Sequence, residues 1–171
     1  MKKTIAIAIL LMMVFSTHAI AANMKIGYAN LQRALNESES GKRAKVALKA
    51  EAAKYQKEIT AKEDKLKKQK AEIDKKIAVW NKETKETKVK DFQAGIKDLQ
   101  QTTQKYDTTL KKNKAKNEST IINELRDIVK SIAKKKGYTF VLESSAGGIL
   151  YAPENNNITD DLIKQYNKKT R

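Results

Sequence analysis

From Lys42 to Lys136 the chain runs for 95 residues without a proline and with a single glycine, Gly95. Ala, Lys, Glu and Gln crowd this stretch, and these residues favour helix because they lose little or no side-chain freedom there. Its sparse apolar and seam-position residues step by three and four: Leu48, Ala52, Tyr55, Ile59, Leu66, Ile73, Ile77 and Trp80. The pattern resumes at Val89, Phe92, Ile96, Leu99, Thr103, Tyr106 and Leu110. A 3.5-residue repeat of this kind draws a narrow seam for one partner helix, not the broad face of a globular helix.

Two arrangements satisfy such a seam. Trp80 with Val89, Ile77 with Phe92, Ile73 with Ile96, Ile59 with Leu110, and Leu48 with Ile121 all have residue numbers summing to 169. Mirrored apolar residues are what two antiparallel helices need. The sequence therefore predicts a helical hairpin over 41–132 with its tip near Lys82–Lys88 (KETKETK), which is polar and carries two β-branched threonines. A single straight helix in a parallel coiled coil is the alternative. Each arm helix would be about 60 Å long at 1.5 Å per residue. Lys62, Gln69, Asn113 and Asn117 fall on the seam, where polar residues loosen packing while fixing register. Bending arms with a firmer tip around Trp80 and Phe92 are expected. From Ile121 to Ile132 the apolar face widens, as suits a helix root packed on a sheet.

The flanks read differently. Lys25–Ala29 (KIGYA) alternates as a half-buried strand should, Asn30–Leu35 suggests a helical turn, and Asn36–Gly41 (NESESG) supplies N-caps for the first arm. Lys134–Lys136 followed by Gly137 closes the second arm with cations and a glycine. Tyr138–Glu143 (YTFVLE) reads as a strand, Ser144–Gly148 as a turn, and Ile149–Ala152 (ILYA) as the returning strand of a hairpin. Thr159 is the expected N-cap of a last helix, with Asp160 and Asp161 in its first turn. The fold class is thus mainly α with a small β base (α+β). Strands on both sides of the arms can share a sheet only if the helices go out and come back, which also favours the hairpin. Residues 22–40 and 133–171 would form the base. A base of that size is marginal alone, and its open sheet edges invite assembly.

The first 21 residues carry an export signal: Lys2 and Lys3, the apolar run Ile5–Phe15, and Ala19-Ile20-Ala21 before the cleavage point. His18, the single histidine, leaves with it, and the chain has no cysteine. Histidine zinc sites, Ser-His and Cys-His nucleophile pairs and disulfides are excluded from the mature chain. Ser131-Ile132-Ala133-Lys134 matches the SxxK of serine acyl-transfer enzymes, but the companion SDN and KTG elements are missing. No phosphate-binding glycine loop occurs. The expectation is a protein that is not an enzyme and has no cofactor or metal.

The net charge of +16 becomes +14 without Lys2 and Lys3. Residues 39–136 hold 28 Lys or Arg against 15 Asp or Glu, a net of +13. The field therefore belongs to the arms and favours anionic partners. A cage for polypeptides, a binder of polyanions such as nucleic acid or lipopolysaccharide, and an envelope spacer or adaptor all fit. Export argues against specific nucleic-acid binding.

The segments KIGYANLQRALNESESGKRAK, YTFVLESSAGGILYA and NNNITDDLIKQYNK, with the Lys-rich helical stretch between them, resemble the Skp (OmpH-like) family of periplasmic chaperones over essentially the whole mature chain. The resemblance implies a homotrimer in which a small β-barrel-like base joins three helical tentacles around a cavity. It implies ATP-independent holding of unfolded outer-membrane proteins before membrane assembly. It further implies trimer formation by Ile26, Tyr28, Phe140, Leu142, Leu150 and Tyr151. The arms vary too freely in such proteins for individual client or lipopolysaccharide contacts to be carried over; lipopolysaccharide and anionic membrane surfaces remain partners that the charge admits.

Overall fold

The computed structural model describes residues 24–170; the expected export signal, residues 1–21, lies outside them. The elements in order are β1 (Ile26–Ala29), α1 (Leu31–Glu37), α2 (Glu39–Lys76), α3 (Lys82–Lys136), β2 (Phe140–Glu143), a 3₁₀ turn (Glu154–Asn156) and α4 (Thr159–Lys169). Helices α2 and α3, of 38 and 55 residues, form the hairpin. The straight parallel helix is therefore set aside.

Local chemistry starts each helix. Asn30 caps α1 by accepting from the Arg33 amide at 2.6 Å. Buried Ser38 caps α2: its Oγ accepts from the Gly41 amide and donates to the Leu35 carbonyl, both at 3.2 Å. A Cβ on Gly41 would stand 1.7 Å from the Leu35 oxygen, so only glycine permits the elbow between α1 and α2. Helix α3 ends on Gly137 with φ 68°, as its lysine-rich last turn announces.

The tip falls at Ile77–Asn81, ahead of the expected Lys82–Lys88. Lys75 and Lys76 suit the C-terminal turn of α2, and Asn81 restarts the chain by accepting from the Thr84 amide at 2.8 Å. KETKETK is consequently the first turns of α3. Pairing across the hairpin shifts with the tip. Tyr55 meets Tyr106, Glu51 meets Asn113, Lys62 meets Asp98, and Gly95 lies against Leu66. These numbers sum to between 160 and 164, about one heptad below 169. A seven-residue pattern mirrored about one point is equally mirrored about points half a heptad away, so apolar spacing alone could not choose.

The core sits where the root of α3 meets the small elements. Ile121, Leu125 and Ile132 of α3 pack with Leu31, Ala34 and Leu35 of α1, Ala29 of β1, and Ile158, Leu162 and Tyr166 around α4. The Tyr166 hydroxyl donates to Glu124 at 2.5 Å, and burial followed by that bond pushes its pKa up to about 12.

The sheet has two parallel strands in the register Ile26↔Phe140, Gly27↔Val141, Tyr28↔Leu142 and Ala29↔Glu143. The arm is the long crossover that a parallel pair requires. The expected hairpin of YTFVLE with ILYA does not form: Ile149–Ala152 is irregular, and the chain returns beside β1 through a bridge of Tyr28 to Asn157. Glu143 accounts for the departure. Its carboxylate accepts from the Ser145 and Ala146 amides, the Ser145 hydroxyl and the Leu31 amide, which bends the chain away at the end of β2. Thr159 is not an N-cap. It lies inside the first turn of α4, where its amide donates to Asn157 at 3.0 Å and its hydroxyl accepts from the Asn30 amide at 3.0 Å.

Candidate interaction surfaces

Alternation along the strands sorts the sheet into two faces. Gly27, Ala29 and Val141 turn toward the core, Gly27 lying under the Tyr138 ring. Ile26, Tyr28, Phe140 and Leu142 turn outward: Phe140 is 53% and Leu142 48% exposed, and Tyr28 is half-buried. The irregular return places Leu150 (101% exposed) and Tyr151 (87%) near them, lining one open groove of about 560 Å³ with Ile26, Tyr28 and Leu142. Five of these six residues are large apolar side chains left to water; such contiguous exposure marks interaction surfaces in soluble proteins. Tyr28 is fixed by donating to Glu154 at 3.0 Å, and Glu154 in turn accepts from Asn157 at 2.8 Å. The hydrogen bonds from Asn157 and Tyr28 hold the Glu154 carboxyl below its ordinary range.

The arm is the second surface. Leu48, Tyr55, Ile59, Leu66, Ile73, Ile77, Trp80, Val89, Phe92, Leu99 and Leu110 are half-buried, Ile96 is exposed on the flank of the seam, and Ile121 is buried at the root. Gly95 occupies the seam beside Ile96: an added Cβ would lie 2.7 Å from Leu66 Cδ2. Asn117 and Thr103 are exposed, whereas Lys62 reaches across to Asp98. Between Lys42 and Thr120 no side chain is fully buried. Mid-arm contact is polar and aromatic. Tyr55 and Tyr106 stack 3.9 Å apart, Tyr55 donates to Glu51, Tyr106 to Glu58, and Asn113 to both oxygens of Glu51. The Asn113 partnership was signalled by its seam position; the facing carboxylates Glu51 and Glu58 carried no such signal.

Charge on the arm is only partly internally paired. Lys70–Asp74, Lys76–Glu72 and Lys111–Asp107 are exposed pairs four residues apart, which contribute little to stability and leave the excess of lysines on the surface. Among the described residues no cluster of His, Cys, Asp and Glu could hold a metal ion, and no helix is long and apolar enough to cross a membrane.

No curated protein matches the chain. A crystal structure of a protein described as an OmpH-like outer membrane chaperone from Caulobacter crescentus CB15 superposes with a TM-score of 0.80. It covers 86% of this chain and 86% of its own, at 19% identity, a likeness of fold. The profile of the "Outer membrane protein (OmpH-like)" family matches residues 25–166. With that match spanning most of its length, the chain belongs to the OmpH-like family.

Proposed function

We propose that this protein is an ATP-independent periplasmic holdase chaperone, which encloses unfolded outer-membrane proteins between basic arms and prevents their aggregation before assembly. The observation that carries the reading is the division of labour along the chain. The hydrophobic core lies wholly at the root, and a hairpin of about 57 Å projects from it with a half-buried seam and a net charge of +13 over residues 39–136. A hairpin with so little core gives a deformable wall; its lysines attract acidic chains, and its scattered apolar groups bind weakly at many points. Many reversible contacts give retention through avidity.

In this reading residues 22–40 and 133–171 are the oligomerisation base, with the α3 root in its core, and 41–132 the arm. Three copies associate through Ile26, Tyr28, Phe140, Leu142, Leu150 and Tyr151, so that three arms surround one cavity. Lipopolysaccharide or an anionic membrane surface is a secondary partner of the same lysines. The N-terminal signal at residues 1–21 delivers the chain to the periplasm.

Light scattering on the mature protein, with a urea-unfolded outer-membrane barrel protein diluted into it and no ATP, tests the proposal. A trimer mass with client held soluble in a stoichiometric complex is the expected result. A monomer or dimer beside aggregating client would instead favour an envelope spacer or adaptor.

A further inference from the structure

The middle of the arm holds two phenols whose arrangement the chaperone reading does not use. Tyr55 on α2 and Tyr106 on α3 are stacked with centroids 3.9 Å apart and planes inclined by 7°, and no other aromatic pair stacks among the described residues. Each hydroxyl has its own carboxylate. Tyr55 donates to Glu51 at 2.8 Å, and Tyr106 donates across the seam to Glu58. Hydrogen bonds from Tyr55 and Asn113 keep the Glu51 carboxyl below its ordinary range and therefore ionised, with the Tyr55 hydroxyl proton already directed at it. Both rings are half-buried, close enough to solvent for an outside oxidant to reach them. Hydrophobic filling of the seam would be served as well by leucine or phenylalanine. The paired phenol and carboxylate groups supply something more: two oxidisable rings, each with a base.

We propose that Tyr55 and Tyr106 form an oxidative coupling site, joined by a carbon–carbon bond between ring positions ortho to the hydroxyls when two equivalents of a one-electron oxidant reach the arm. Each equivalent removes one electron from a phenol as its hydroxyl proton passes to Glu51 or Glu58. A hydrogen-bonded base assists such a transfer because it needs no rearrangement. The two phenoxyl radicals then pair their electrons in the new bond. Coupling begins through orbitals perpendicular to the rings, and a face-to-face stack is the orientation that brings those orbitals together. The two ortho ring protons move to the oxygens, restoring both aromatic rings, and the carboxylates release their protons to water. The net change is the loss of two hydrogens from the protein and the reduction of two oxidant equivalents. The product ties α2 to α3 across the polar stretch and closes the outer part of the arm, tip included, into a covalent loop.

The test uses the mature, assembled protein and photogenerated tris(bipyridyl)ruthenium(III), with persulfate as the terminal electron acceptor. Dityrosine fluorescence should rise while the chain keeps its single-chain mobility on a denaturing gel. Trypsin should then release one species joining residues 55–57 to 106–111, lighter than the two peptides by two hydrogens. Tyr55→Phe and Tyr106→Phe should each abolish that species, with helicity by circular dichroism retained. Glu58→Gln should slow its formation several-fold with the stack preserved in the near-ultraviolet spectrum. Dityrosine found only between protomers or at other tyrosines would overturn the site, and an unchanged rate in Glu51→Gln and Glu58→Gln together would overturn the role given to the carboxylates.

Discussion

Glu143 is a single carboxylate on which three residues of the base converge. Leu31 begins α1, Ser145 and Ala146 begin the irregular return, and all donate to it at distances between 2.7 and 3.2 Å. Partial burial pushes its pKa up, but the bonds from Ser145, Leu31 and Ala146 outweigh burial and hold the carboxyl below its ordinary range. A carboxyl with a depressed folded-state pKa contributes stability that is present above its unfolded value and lost as pH falls through the folded one. Acid melting should therefore begin as pH falls through the ordinary glutamate value of about 4.3, and Glu143→Gln should flatten that part of the curve while lowering stability at neutral pH. Glu143→Ala should cost about 2 kcal/mol, since it strands partly buried donors; chemical denaturation at pH 7 and pH 4 checks both. Gly41 makes a second demand at this scale. Its Cβ position is occupied by the Leu35 oxygen, so Gly41→Ala must shift backbone and not merely a side chain. The melting temperature of Gly41→Ala should fall further than that of Ser38→Ala, whose lost cap is worth about 1 kcal/mol.

The arm was legible in composition, length and period, and illegible in register. Absence of proline and a 3.5-residue spacing are enough to call for long seamed helix, and the strands on both sides of it call for a return. They cannot say which heptad faces which, because every slip by seven residues restores the apolar match. The deciding residue is Asn81, a short polar side chain that starts α3, and its effect is local turn chemistry that apolar periodicity does not contain. A similar limit applied at the sheet. The alternation in YTFVLE marked a strand, but the path of the chain beyond it is governed by the bonds that Glu143 collects, and no pattern in ILYA announces them. The absence of cysteine makes the register directly testable. Leu66→Cys with Gly95→Cys should oxidise readily to an intramolecular disulfide, because removing the leucine clears the space that a Cβ at 95 requires. Leu66→Cys with Thr103→Cys, the partner in the register whose numbers sum to 169, should stay reduced under the same mild oxidant. The opposite result would restore the register that the mirrored spacing suggested.

At the scale of the molecule, apolar attraction and charge are assigned to different ends. The outward residues of the sheet give the base a reason to associate, and Leu150→Asp combined with Tyr151→Asp should reduce the scattering mass to that of one chain while the helices persist. Loss of helix together with mass would instead show that the arm cannot stand without its neighbours. The arms act at longer range. Their charge is spread over about 57 Å of projecting helix, so in the proposed holdase an acidic unfolded chain would meet an attractive field before it touched any apolar group. That field reaches about 10 Å at 0.1 M salt and about 3 Å at 1 M. Steering of this kind raises association rates by roughly 10 to 1000-fold at low salt. Stopped-flow capture of a labelled, unfolded outer-membrane protein should therefore slow by at least about tenfold between low and 1 M salt. Release, governed by short-range apolar and aromatic contacts, should change far less. A neutral client should lose the salt dependence of capture but keep its slow release. If capture of the acidic client proved indifferent to salt, the lysines would be solvating the helices only, and holding would rest on the apolar contacts alone.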